Sequence, residues 1–174
     1  MRASCAAAAL CLAAQAAAAQ PYGVGQTATP QQIAGWDIDV RGDGAGLPPG
    51  RGAVALGKAI YEARCAACHG GDGEGGVADP LAGGAGSLST AKPVRTVGSY
   101  WPYAPTLFDY VRRAMPFNAP QSLSADQTYA VVGYVLFLNH IVPAQAVMDA
   151  RSLARIRMPN RNGFIQPDPR PDAP

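Results

Sequence analysis

The chain has 174 residues, with 14 Lys+Arg, 12 Asp+Glu, 4 Cys and 2 His, and 48% of the residues are hydrophobic. The length suits one domain with tails, and the apolar share is enough for a packed core, which excludes global disorder. A formal net charge of +2 gives no electrostatic case for nucleic acid or an anionic membrane as partner.

Met1-Arg2 starts the chain with one positive charge, and eleven of the first nineteen residues are Ala. Ala17-Ala18-Ala19 ahead of Gln20-Pro21 offers small residues to a signal peptidase. Residues 1–19 therefore read as a secretory signal cleaved near Ala19, which implies a periplasmic protein. A membrane anchor is the rival, but the run is short and weakly apolar for a span of about 20 residues. Lipid attachment at Cys11 is disfavoured by bulky Leu10 before it. After cleavage only Cys65, Cys68, His69 and His140 remain of the two residue types, and the charge falls to about +1, from 13 basic and 12 acidic residues. No stable membrane insertion is expected of the mature chain.

Residues 20–52 are Gly-, Pro- and polar-rich and read as an extended N-terminal arm. One compact domain is expected over 53–142, and a C-terminal arm over 143–174. Val54 to Arg64 is the first helical stretch, with Leu56, Ile60 and Tyr61 on its apolar side. Glycine-rich turns over 70–76 and 83–86 flank Asp79-Pro80-Leu81. Thr106 to Ala114 is a short amphipathic helix that stops at Met115-Pro116. Ser124 with Gln127 three residues on makes a capping box for a last helix that runs to about Asn139. That helix is apolar nearly all round, so it should be buried. No strand pattern or internal repeat stands out. The tail from Gln145 holds one more short helix, then Arg151, Arg155, Arg157 and Arg161 without an intervening acid, and ends in a Pro-rich run. This arginine-rich stretch suits a docking segment or a solvated tail.

The chemistry sits at Cys65-Ala66-Ala67-Cys68-His69. C-x-x-C-H is the attachment motif of a c-type haem. Two thiols three residues apart at a helix end reach the two vinyl groups on one porphyrin edge, and the adjacent imidazole falls under the iron as proximal ligand. A thioredoxin-like dithiol would want a βαβ context, and a zinc site would want a second pair of ligands. The sixth ligand is sought among Met115, Met148, Met158 and His140. Met115 is favoured, because it ends a helix and Pro116 stops that helix in a loop able to face the iron. Met148 reads as packing, and Met158 and His140 stay as rivals. Asp37 to Gly42 begins like a calcium loop, but Arg41 and Pro48 stand where acids belong, so calcium is rejected.

Residues 57–138 resemble a class I cytochrome c, an all-α fold of three to five helices around one covalent haem. Gly57 and Tyr61 before the motif and Tyr134 in the last helix match that family's crossing of first and last helices. The resemblance implies that Pro80 supplies the carbonyl that accepts from the proximal His69. A narrower likeness runs through Trp36-Asp37-Ile38-Asp39-Val40, Gly46-Leu47-Pro48-Pro49-Gly50, Tyr100-Trp101-Pro102-Tyr103-Ala104, Arg112-Arg113-Ala114-Met115-Pro116-Phe117 and Met158 to Phe164. These stretches are similar to the cytochrome subunits of bacterial sulfur oxidation, which partner a molybdenum sulfite dehydrogenase or the sulfane dehydrogenase of the Sox system. This likeness implies Met115 as the axial ligand. It also implies a molybdopterin dehydrogenase as electron donor and another cytochrome or an oxidase as acceptor. The two-haem members of that family differ from this chain, which has one C-x-x-C-H. Tyr100 and Trp101 either line the haem crevice or pack the arm onto the core. The expectation is an electron-transfer protein with no substrate chemistry of its own. A general respiratory carrier and an open-iron haem enzyme or sensor are the alternatives.

Overall fold

The computed structural model describes residues 25–165. Residues up to Asp37 form one unit and those from Ile38 form a second. The first nineteen residues, expected to be a signal segment, and the Pro-rich run from Pro167 lie outside the described residues.

In the first unit, helix α1 (Pro30–Trp36) is started by a capping box: the Thr29 hydroxyl accepts from Gln32 N, and the Gln32 side chain accepts from Thr29 N. Pro30 opens it at no cost, because the first N–H of a helix has no partner anyway. The helix buries none of its residues. An extended arm was expected here, and seven residues of it are helical instead.

The second unit follows the order β1 (Arg51–Ala53), α2 (Val54–Arg64), α3 (Ala66–His69), α4 (Ala104–Ala114), α5 (Ala125–Leu138), β2 (Val147–Asp149) and α6 (Ala150–Ala154). A single 3₁₀ turn, Ser87–Ser89, lies between α3 and α4. The fold is mostly helical, and α5 is its axis. Nine consecutive residues, Thr128 to Leu136, are buried, which accounts for the helix being apolar on every side. The Ser124–Gln127 capping box starts it.

Helix α2 crosses α5 at Gly57. A Cβ on Gly57 would overlap the Ala130 carbonyl and come within 2.9 Å of Tyr134 Cβ, so only glycine permits this approach. Tyr61, one turn on, is fully buried and packs on the Tyr134 ring at 5.3 Å between centroids. The face of α2 that enters the core is Val54, Gly57 and Tyr61. Leu56, expected on that face, is 50% exposed. Helix α4 packs on α5 through Phe108 and Tyr129, whose centroids are 4.5 Å apart. It begins at Ala104, two residues earlier than expected, with Pro105 in its first turn.

A two-stranded antiparallel pairing, Arg51↔Asp149, Gly52↔Met148 and Ala53↔Val147, was not anticipated. Three-residue strands leave no alternation to read, and Gly52 is present because α5 leaves no room for a side chain there. Two segments outside 53–142 pack against the core. Residues 38–50 are no free arm: Val40 is buried and its N–H donates to Asp109 Oδ1 at 2.9 Å, and the Tyr129 hydroxyl donates to the Pro48 carbonyl at 2.8 Å. Residues 146–158 are likewise packed into the body, with Met148, Leu153 and Met158 all inside the core. Composition concealed this, because the few core residues of these segments, Val40, Met148, Leu153 and Met158, stand singly among glycine, proline and charged residues and form no apolar run.

Candidate haem site

The helix α2 C-terminus delivers Cys65 as its last cap, and α3 turns the chain so that Cys68 and His69 follow within one helical turn. Both thiols are free. Cys65 is half-buried against the core, and burial pushes its thiol up to about 11, with Arg64 opposing and Cys68 adding to that effect. Cys68 is exposed.

His69 is held from the second turn of the following loop. Its Nδ1 lies 2.8 Å from the Asp79 carbonyl oxygen. A carbonyl only accepts, so Nδ1 carries the proton and Nε2 presents its lone pair for a metal. The acceptor was expected at Pro80 and is one residue earlier. Proline disfavours helical backbone in the residue before it, which leaves the Asp79 carbonyl free of helical bonding to meet the ring. Pro80 thus acts through the peptide it restricts, not through its own oxygen.

The loop between is fastened at several points. Tyr61 OH donates to the Gly70 carbonyl at 2.9 Å, and burial pushes this phenol up to about 12, so it stays a neutral donor. Gly75 N donates to His69 O, Ala78 N to Cys68 O, and both Leu81 N and Ala82 N to Gly73 O. The Glu74 carboxylate accepts from Asp72 N at 2.8 Å, and backbone N–H groups of Glu74 and Asp72 hold its carboxyl below the usual range. Glu74 is thus occupied in closing its own loop.

Met115 follows α4 as its C-cap in extended backbone, half-buried, with buried Pro116 after it. Helix α4 is held one turn earlier. Arg113 reaches Asp109 through Nε at 3.1 Å and Nη2 at 2.8 Å, and Nη2 also donates to Asp39 at 2.7 Å. Partial burial pushes the Asp109 carboxyl up, but the Arg113 and Val40 hydrogen bonds and the neighbouring arginine charges outweigh it and hold the carboxyl below its ordinary value. Arg113 is thereby a structural cation.

The rival ligands sit elsewhere. Met148 lies on β2 at 5% exposure against Gly133, and Met158 is 1% exposed within the core. His140 is exposed on the turn past α5, at φ 58°. Of Tyr100 and Trp101, read as lining the haem crevice or packing the arm onto the core, the Tyr100 ring meets Phe164 edge-on at 5.2 Å with Arg95 at 5.5 Å from its centroid, and Trp101 meets Tyr110 edge-on at 5.8 Å. Tyr100 thus contacts the C-terminal segment through Phe164, whereas Trp101 contacts the helix that follows it.

Two anchoring side chains escaped the sequence reading. Asn139 Nδ2 donates to the carbonyls of Leu81 and Val135, both at 2.9 Å, while its Oδ1 accepts from Gly98 N at 3.1 Å. Asn160 Nδ2 donates to the Tyr100 carbonyl at 2.7 Å. An Asn at the end of an apolar helix was the available signal for the first, but an Asn there equally often faces water.

The family model for cytochrome c matches residues 54–139. The crystal structure of the sulfane dehydrogenase SoxCD from Paracoccus pantotrophus contains a chain similar to this one at a TM-score of 0.81 and 45% identity, over 87% of this chain and 74% of that one. The chain belongs to the cytochrome c family, as a class I c-type cytochrome with covalently bound haem c. Within that class it is related to the Sox cytochromes. The thiosulfate dehydrogenase of Allochromatium vinosum is 36% identical over 86 residues, 46% of this chain. This chain spans only 29% of that relative's length. The donor set fits haem c: two free thiols at C-x-x-C spacing, and an imidazole whose Nδ1 is committed so that Nε2 is available.

Proposed function

We propose that the protein is an exported monohaem carrier that accepts single electrons from a molybdenum sulfite or sulfur (sulfane) dehydrogenase and passes them to a downstream cytochrome or oxidase. The observation that carries this reading is the reach of the likeness to the sulfane dehydrogenase chain. At 45% identity it extends over 87% of this chain, well past the 54–139 stretch common to cytochromes c at large. A general respiratory carrier would need only the shared stretch.

Bound haem c supplies a one-electron iron couple. Cys65 and Cys68 hold it as thioethers, and His69 offers Nε2 as proximal ligand with Nδ1 fixed by Asp79. Met115 is the sixth ligand in this reading. The burial of Met148 and Met158 and the exposure of His140 favour it, as does the extended backbone that takes Met115 out of α4. A thioether in that position suits a carrier, because it favours the ferrous state and closes the iron to outside ligands. Catalysis then belongs to the partner. Tyr100 and Trp101 serve this site by shaping the segment that leads into α4. Export rests on the Ala-rich start of the chain, and among the described residues no helix is long and apolar enough to cross a membrane.

The test mixes the purified oxidised cytochrome with a molybdenum sulfite or sulfane dehydrogenase and its substrate in a stopped-flow spectrometer. Rapid reduction by one electron per chain is expected, with an unrelated dehydrogenase much slower. Equal rates with both would sink the partner assignment.

A further inference from the structure

We propose that Asn139 is a positioning residue for the proximal ligand and a determinant of the reduction potential, an inference that rests on haem ligation by His69. The residue lies just past the end of α5 and ties three parts of the chain together through one half-buried amide. Its Nδ2 donates to Val135 O, which belongs to α5 itself, and to Leu81 O. Its Oδ1 accepts from Gly98 N. Leu81 is two residues from Asp79, the carbonyl that holds His69 Nδ1. Leu81 O also accepts from Val97 N at 3.1 Å. The Asp79-Pro80-Leu81 strap is therefore fixed to the rigid buried helix by one side chain, with proline stiffening the link between the fixed point and the acceptor.

Gly98 records how close this junction is. A Cβ there would come within 2.8 Å of Asn139 Cγ and 2.9 Å of Asn139 Cβ, so the buried glycine makes room for the amide. Only a primary amide supplies both needs. Leucine has neither donor nor acceptor, and aspartate keeps the acceptor for Gly98 but turns a carboxylate toward two carbonyl oxygens.

The consequence at the iron follows from the hydrogen bond. A well-held Nδ1–H···O=C bond makes the imidazole more basic and stabilises the ferric state. Loosening the Asp79 strap weakens that bond, so the ferrous state gains.

The experiment uses the haem-loaded protein as wild type, Asn139→Leu, Asn139→Asp and Leu153→Ala. Leu153 is a fully buried core residue of α6, outside this junction, and serves as the control for plain destabilisation. At a fixed solution potential the ferrous-to-ferric ratio should rise by about threefold or more in both Asn139 variants, with faster exchange of the His69 Nδ1 proton by NMR. Leu153→Ala should lower the melting temperature and leave both readings where they were. If Asn139→Leu fails to accumulate, Gly98→Ala replaces it, since the added methyl must push the amide aside. Unchanged ratio and exchange in the Asn139 or Gly98 variants overturn the proposal alone, as does an equal change in Leu153→Ala. Absence of a His-ligated iron spectrum in the wild type would overturn it together with the haem reading.

Discussion

The Asn160 side chain donates a 2.7 Å hydrogen bond to the carbonyl of Tyr100, across 60 residues of sequence. Arg161, next to it, lies over the Tyr103 ring at 4.2 Å, and Phe164 meets Tyr100 edge-on. The Met158 to Phe164 stretch thus clasps the Tyr100 to Tyr103 segment that leads into α4. Arg161 is a packing cation here, which leaves Arg151, Arg155 and Arg157 as the exposed ones of the four.

Truncation after Val142 should therefore unfold the protein rather than merely weaken docking. It removes β2 and takes Met148, Leu153 and Met158 out of the core. Leu153→Ala alone is expected to cost about 2–5 kcal/mol, the usual range for a fully buried leucine. Denaturant unfolding measures the point variant, and circular dichroism the truncation. A truncated chain with native helix content and an unchanged melt would show the tail to be dispensable.

Cys65→Ala and Cys68→Ala should each leave one thioether, and His69→Ala should lose the proximal ligand. The check is haem staining on a denaturing gel, together with the absorbance of the pyridine adduct, which shifts when one vinyl group stays unreacted. Wild-type protein that carries no covalent haem would refute the site as a whole.

Met115→Ala should open the sixth position. The far-red methionine-to-iron charge-transfer band should vanish, carbon monoxide should bind the ferrous protein, and the potential should fall. Met158→Ala should do none of these and instead destabilise the fold by about 2–5 kcal/mol through a core cavity. The reverse pattern would move the ligand to Met158.

Stability should decline at acid pH partly through Asp109. Its folded carboxyl titrates below the unfolded value of about 3.9. The stabilisation is complete above that unfolded value and drains away as pH falls through the lower folded one. Asp109→Asn should remove that part of the acid slope and cost about 1 kcal/mol at neutral pH, a figure kept low because Arg113 is partly exposed. Unfolding free energies between about pH 3 and pH 7 test it. An identical slope in the variant would show that Asp109 does not report on the fold.

Gly57→Ala should be among the most damaging single changes, since the new methyl would have to enter the Ala130 backbone. A loss of several kcal/mol, or no folded haem protein, is expected by about the scale of overpacked and strained sites. A mild effect in the same unfolding assay would mean that α2 and α5 can separate at low cost.

What the chain alone determined is whatever is written in neighbouring residues. C-x-x-C-H named the cofactor because thioether attachment and the proximal imidazole need only residues 65–69. The Ser124–Gln127 box and the unbroken apolar run announced α5 for the same reason, and Met115-Pro116 marked where α4 stops. The tertiary structure decided everything that depends on distant backbone. It moved the His69 acceptor from Pro80 to Asp79, paired β1 with β2, and drew 38–50 and 146–158 into the body. It also gave Asn139 a partner 58 residues away. A carbonyl, or a glycine that yields space, has the same identity in every sequence context, so its use is visible only once the helices have met.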